Sequence, residues 1–419
     1  MRTIVQAFRI PELRRKIFVV LGLMIGFRLF AAIPIPGIDI TRLQDFLSGN
    51  QFFGFLNIFS GGGLSNLSIM MLGVGPYITA TIIMQLLTMI FPRLKEMYYE
   101  EGAVGRQKFN RISRWLTVPL AALQSYSLLN LFISQGAVAP LSAASMLFNV
   151  VIITAGSTLL MWIGELISEE KIGNGISLII FAGIVAGLPQ LVQTVFFTYD
   201  PSLLTTYSIF IAVAIVVIAG VVFISEGERK IPVIYSKRVR GNKMYGGSST
   251  YLPLKVNQAG VIPIIFAISL LLFPQFIAQI IGLFSPELSV TLQTAVQNFT
   301  NNALFYGGAY FILVVVFTYF YTAITFNPEE IAKNLQQGGG FIPGIRPGQP
   351  TTQYLKSTTG KITLFGAVFL GLIAVLPIIT QAFTNTNLLT IGGTALLIVV
   401  AVALDTYRQI DSQVSVRQY

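Results

Sequence analysis

Ten apolar stretches alternate with polar connections along this chain, at 17–36, 68–91, 115–133, 143–167, 176–197, 207–225, 259–283, 303–325, 362–383 and 388–404. A spanning helix needs roughly 20 mostly apolar residues, because the hydrocarbon is ~30 Å thick and a helix rises ~1.5 Å per residue. The pattern therefore predicts an all-α polytopic membrane protein with ten transmembrane helices. A large soluble helical protein would need far more polar surface than 11% charged residues can supply. Ten spans divide into two sets of five, 17–197 and 207–404, flanked by a segment 1–16 and a tail 405–419. An odd number per half gives the halves opposite orientation, which is compatible with inverted repeats.

Charge orders these stretches across the bilayer. All but two of the 27 Lys and Arg fall in alternate connections or near the chain ends. Arg2, Arg9, Arg14, Arg15 and Lys16 precede the first stretch. Arg93, Lys95, Arg106, Lys108, Arg111 and Arg114 occupy the second connection, and Lys171 the fourth. The sixth holds Arg229, Lys230, Lys237, Arg238, Arg240, Lys243 and Lys255; the eighth holds Lys333, Arg346, Lys356 and Lys361. Arg408 and Arg417 follow the last stretch, while the exceptions are Arg42 in the first connection and Arg28 inside the first stretch. By the positive-inside rule both termini and the even-numbered connections are cytoplasmic. Two of those connections, 226–258 and 327–361, are long, basic and rich in Gly and Pro. A plain connector seldom needs more than about a dozen residues, so these predict docking of a cytosolic partner. The segment 1–16 lacks a cleavable leader pattern and reads as an interfacial helix.

The first connection breaks the pattern. Residues 52–67 are apolar and aromatic, interrupted by Gly61, Gly62 and Gly63. Irregular backbone at membrane depth is tolerated only where protein or a water-filled cavity shields it. From the residues alone the segment reads equally as a movable re-entrant stopper or as a loop packed on its own helices.

Composition then narrows the chemistry. Cysteine and histidine are absent, which removes disulfides, thiolate nucleophiles, imidazole bases and zinc sites. The carboxylates Glu165 and Asp405 lie near cytoplasmic span ends, so no mid-membrane relay of the kind proton-coupled pumps keep is visible. No G-x-x-x-x-G-K-[ST] string occurs, so energy for any transport must come from a partner or the membrane potential. No catalytic residue and no cofactor is expected. A secondary transporter of a small solute is the runner-up, and an intramembrane lipid-processing enzyme using Ser or Tyr is a third reading.

Several strings carry a resemblance. They are Ile33-Pro34-Ile35-Pro36-Gly37, the Gly-rich 59–68, Gly75-Pro76-Tyr77-Ile78-Thr79-Ala80 and Ile82-Ile83-Met84-Gln85-Leu86-Leu87. Further along come Gly173-Asn174-Gly175-Ile176-Ser177, Leu254-Lys255-Val256-Asn257 with Gly260-Val261-Ile262-Pro263, then 341–348 and Gly392-Gly393-Thr394. In this order and spacing, over essentially the whole chain, they resemble the SecY family of protein-conducting channels, in its bacterial branch.

The resemblance implies two five-helix halves around an hourglass pore, hinged between spans five and six and parting between spans two and seven as a lateral gate. It implies a multi-pass protein of the bacterial plasma membrane that passes unfolded secretory polypeptide and releases transmembrane segments sideways into lipid. Carried over by motif, the pore ring is Val74, Ile78, Ile176, Ile180, Ile265 and Ile398. The plug is 57–67, including Phe59, Gly61, Gly62, Gly63, Leu64 and Asn66. Gln85 and Asn257 match a polar cluster on the gate. Arg346, with Lys237, Arg238 and Arg240, falls in the loops that would engage the SecA motor ATPase or the ribosome. Small subunits resembling SecE and SecG are implied partners, beside signal sequences and membrane lipids.

Elementary physics is consistent with that ring. Val74 and Ile78 are four apart, as are Ile176 and Ile180, so each pair projects from one helix face. Branched aliphatics bind nothing directionally and keep a narrow waist dry. A hydrogen bond between helices in lipid is worth ~0.6 to 2 kcal/mol, which suits Gln85 and Asn257 to act as a weak latch.

Overall fold

Proline opens several helices, as it does where the first N–H groups have no intrahelical partner: Pro11, Pro92, Pro286 and Pro328 each hold the first position of theirs. In the computed structural model the described residues are 2–36, 60, 62–64, 67–134, 136, 138–197, 204–235, 238–240, 243–245, 249–282, 285–384 and 392–417. Their helices are α1 (Arg2–Arg9), α2 (Pro11–Ala31), α3 (Gly75–Ile90), α4 (Pro92–Tyr99), α5 (Gly102–Ser134), α6 (Ala143–Glu169) and α7 (Gly175–Phe197). There follow α8 (Leu204–Glu226), α9 (Ile262–Ile281), α10 (Pro286–Asn301), α11 (Ala303–Thr325), α12 (Pro328–Gln337), α13 (Gln349–Thr384) and α14 (Gly392–Arg417). Side-chain caps fix some starts. Asn302 Oδ1 accepts from the N–H groups of Leu304 and Phe305 at 3.2 and 3.3 Å, and Asn327 does the same for α12.

Each predicted apolar stretch falls on one helix: α2, α3, α5, α6, α7, α8, α9, α11, α13 and α14 in turn. Among the described residues four runs are long and apolar enough to cross a membrane: Gly102–Ser134, Ala143–Glu169, Ala303–Gln337 and Gln349–Leu376. The pair α3 and α4, bent by 112°, makes a fifth, and shorter apolar helices occur at Gly175–Pro189, Ile211–Glu226 and Ile262–Gln275.

Glycine sets the closest helix contacts. A Cβ on Gly175 would lie 1.8 Å from the Gly164 carbonyl oxygen, and one on Gly156 2.1 Å from that of Ile69. No side chain fits at either point. In lipid, where apolar burial gives helices no extra drive to associate, small residues let backbones approach and packing hold them.

The connections depart from the sequence expectation. Residues 226–258 and 327–361, read as loops, build a sheet of order β4–β1–β5 from β1 (Glu228–Tyr235), β4 (Ser249–Lys255) and β5 (Gly340–Phe341). Glu228 stands opposite Lys255, and Ile234 opposite both Ser249 and Phe341. Alternate positions Ile231 and Val233 turn inward onto Leu254, Ile342 and Leu355, a small core separate from the main one. A second ribbon pairs β2 (Arg238–Arg240) with β3 (Lys243–Tyr245). The connection after α9 also contains a helix, α10.

The tail differs as well. Helix α14 continues past 405 to Arg417 and packs on α1, with Ala7, Leu13 and Val414 buried together. Arg408 pairs with Glu226 at 2.8 Å and donates to the Ser225 carbonyl. Gln413 Nε2 donates to the Lys171 carbonyl at 2.5 Å. The last helix thereby touches both halves of the chain.

Candidate functional site

The four helices expected to supply the ring pack in two pairs, α3 with α9 and α7 with α14. Val74 caps α3, and Ile78 sits one turn on, its N–H donating to the Val74 carbonyl at 3.0 Å. Val74, Ile78, Ile180, Ile265 and Ile398 are all buried, at 3% exposure or less, and belong to one continuous apolar cluster. Ile176 stands at its margin. Its Cδ1 would lie 2.7 Å from a Cβ placed on Gly164, so the side chain turns toward α6. The structure thus brings five of the six positions into the cluster's buried part and leaves the sixth half-buried against it.

Val74 is held from behind by a residue the sequence reading missed. Ser157 Oγ on α6 donates to the carbonyl of Gly73 at 2.9 Å, across 84 positions of chain. No sequence signal marks this serine.

Of the expected plug, Gly62, Gly63 and Leu64 are described, whereas Phe59, Gly61 and Asn66 lie outside the described residues. Ser60 closes a tight turn: its carbonyl accepts from Gly63 N–H at 3.2 Å and its Oγ from Leu64 N–H at 3.0 Å. Gly62 has φ +83°, a left-handed backbone that favours glycine. Leu64 and Leu67 are fully buried in the same cluster as Val74 and Ile78. The root of the segment is stitched to the end of α2: Ile35 N–H donates to Leu67 O at 2.8 Å, and Ile69 N–H to Ile33 O at 3.0 Å.

Gln85 and Asn257, the amides expected at the gate, stand on α3 and just before α9, two helices that pack together. Asn257 precedes α9 and donates through Nδ2 to its own Gly260 carbonyl at 3.2 Å. Its Oδ1 is buried without a hydrogen-bond partner, and so is Oε1 of Gln85 on α3. No hydrogen bond joins the two amides, and the contact that Asn257 makes is local, to the turn that starts α9. Each buried unpaired acceptor costs about 1–3 kcal/mol.

The basic docking candidates are spread over the sheet region. Arg346 is exposed in the turn after β5, and its carbonyl accepts from Thr351 Oγ1 at 2.9 Å. Arg238 and Arg240 occupy β2, and Lys237 lies outside the described residues. Arg114 and Glu165 join α5 to α6 at 2.5 Å, which accounts for that carboxylate at a span end. Among the described residues no group of acidic side chains could hold a metal ion.

Comparison with known proteins follows this geometry. The SecY family model matches residues 68–407. The protein translocase subunit SecY of Mycobacterium tuberculosis is 44% identical over 437 aligned positions, covering 99% of this chain and 98% of that protein. The same subunit from Streptomyces galbus is 42% identical, with coverage of 99% and 98%. Among solved structures, one described as a protein-conducting channel superposes with a TM-score of 0.67 at 20% identity, covering 96% of this chain and 93% of its own. Sec61 from a canine ribosome–channel complex gives 0.62 at 19% identity, with coverage of 96% and 93%. In a third, at 0.66, 20% identity and the same coverage, a plug domain is said to stabilise the closed state and maintain a membrane seal.

Proposed function

The chain belongs to the SecY family, and on that premise we propose that it forms the protein-conducting channel of a bacterial plasma membrane, with ten spans and both termini cytoplasmic. One observation carries the residue-level reading. Four branched aliphatics from α3, α7, α9 and α14 (Ile78, Ile180, Ile265 and Ile398) share a buried cluster with Val74 and with Leu64 and Leu67 of the Gly-rich segment. An aliphatic waist closed by a glycine-hinged plug suits passage of any side chain, since nothing in it binds directionally or carries fixed charge.

In the proposed cycle a motor ATPase of the SecA type or a ribosome docks on the basic sheet region and loosens the contact of α3 with α9. A signal helix enters between those helices, the plug leaves, and unfolded chain threads outward. Apolar segments depart sideways, where insertion into lipid is favourable. Small subunits of the SecE and SecG type complete the assembly. The protein is a channel, not an enzyme. The small-solute transporter has no support: the relatives at 42–44% identity are translocase subunits, and the candidate waist offers no polar substrate site.

The native absence of cysteine gives a clean test. Ile78→Cys, Ile180→Cys and Ile398→Cys should each crosslink to a stalled secretory chain. Val216→Cys, exposed on α8, should not. Crosslinking at position 216 with none at the other three would overturn the reading.

A further inference from the structure

Of the ten apolar stretches only the first encloses a fixed cation, Arg28. Charge at membrane depth is costly and is usually kept for a reason. Part of the reason is local: Arg28 sits in the last turn of α2, where the helix dipole favours a cation. That alone would be served by a guanidinium turned to the headgroups. Instead the group turns to the Gly-rich segment. Its Nη1 lies 3.4 Å from the point a Cβ on Gly62 would occupy, and its Cζ is 5.9 Å from the ring centroid of the fully buried Phe27.

We propose that Arg28 is the anchor of the plug: its guanidinium holds the turn at Gly62 against the outer end of α2 while the channel is shut. This rests on the plug reading above and adds a named positioning residue to it. The chemistry fits. A guanidinium offers five donors and no acceptor, and a turn built of glycines leaves its carbonyls uncovered by side chains. Leu64 and Leu67 give the plug apolar adhesion, which is non-directional; Arg28 adds a directional restraint that fixes where the segment reseats. The left-handed φ of Gly62 matters for the same reason, since a different backbone there would move the turn off the guanidinium.

The test reads plug position directly. Leu64→Cys, introduced into the cysteine-free chain and reconstituted with its partner subunits, should react slowly with a membrane-impermeant maleimide applied from outside, because position 64 is fully buried. Adding Arg28→Gln should speed labelling about tenfold, the effect of losing a charged hydrogen bond. Arg28→Lys, which keeps the charge and some donors, should bring the rate back to within about threefold of the parent. Ile153→Cys, equally buried but on α6 rather than in the segment, should stay unlabelled in all three backgrounds. Equal labelling of Leu64→Cys with and without Arg28→Gln would overturn the anchor, provided a jammed secretory chain still exposes position 64. If jamming exposes nothing, the plug reading itself fails and the anchor with it. Parallel acceleration at Ile153→Cys would make Arg28 a general support of the fold and would also overturn the proposal.

Discussion

Two buried amide oxygens, on Gln85 and Asn257, have no hydrogen-bond donor. Each costs free energy in this arrangement, whereas a hydrogen-bonded latch would add to it. Replacing both with leucine removes the penalty, so Gln85→Leu with Asn257→Leu should reject weak signal sequences more strongly, on the order of tenfold. A translocation assay comparing strong and weak signals decides this; unchanged or relaxed discrimination would refute it. The residue scale was legible in the sequence only where chemistry repeats along a helix. The i, i+4 spacing brings Val74 and Ile78 into one buried cluster, because their relation is local. The turn of Ile176 toward Gly164, the local capture of the Asn257 amide and the Ser157 bond to Gly73 depend on backbones meeting across the fold, and no spacing encodes them.

At the element scale, hydropathy located the long apolar helices among the described residues but misplaced many ends. Helices α5, α13 and α14 run beyond their apolar stretches into polar sequence, because a helix needs hydrophobicity only where lipid surrounds it. The sheet escaped notice for a related reason. Strand β1 carries Ile231-Pro232-Val233-Ile234 in a charged context, a short alternation hidden by a search for long apolar runs. Two substitutions probe elements separately. Val233→Asp puts a charge into the small core and should unfold the sheet, seen as protease cleavage within 228–255 while the apolar helices stay protected. Gly175→Ala cannot be accommodated against the Gly164 carbonyl and should push α7 off α6, lowering stability by about 1–3 kcal/mol in a detergent unfolding assay. A neutral Gly175→Ala would show that the two helices separate freely.

For the whole molecule, the family was legible because its strings recur in order along the chain. What the order of strings misses is how the long connections combine. The sixth and eighth connections share one sheet through the pairing of β1 with β5, so a partner docking on either meets both. Arg346→Glu, exposed beside that pairing, should leave folding and insertion intact yet reduce motor-driven transport at least tenfold, while ribosome-bound chains pass more normally. Loss of insertion together with transport would instead assign Arg346 to the fold. Phosphate contacts from Arg238 and Arg240 would make ribosome binding fall steeply with added salt.

The contacts of α14 bear on the order of assembly during synthesis. Ala7 and Leu13 are made about 400 residues before Val414, their burial partner. The Lys171 carbonyl likewise waits for Gln413. These parts of the first half therefore stay uncovered until α14 has been made, and that helix acts as a keystone that closes an arch already standing.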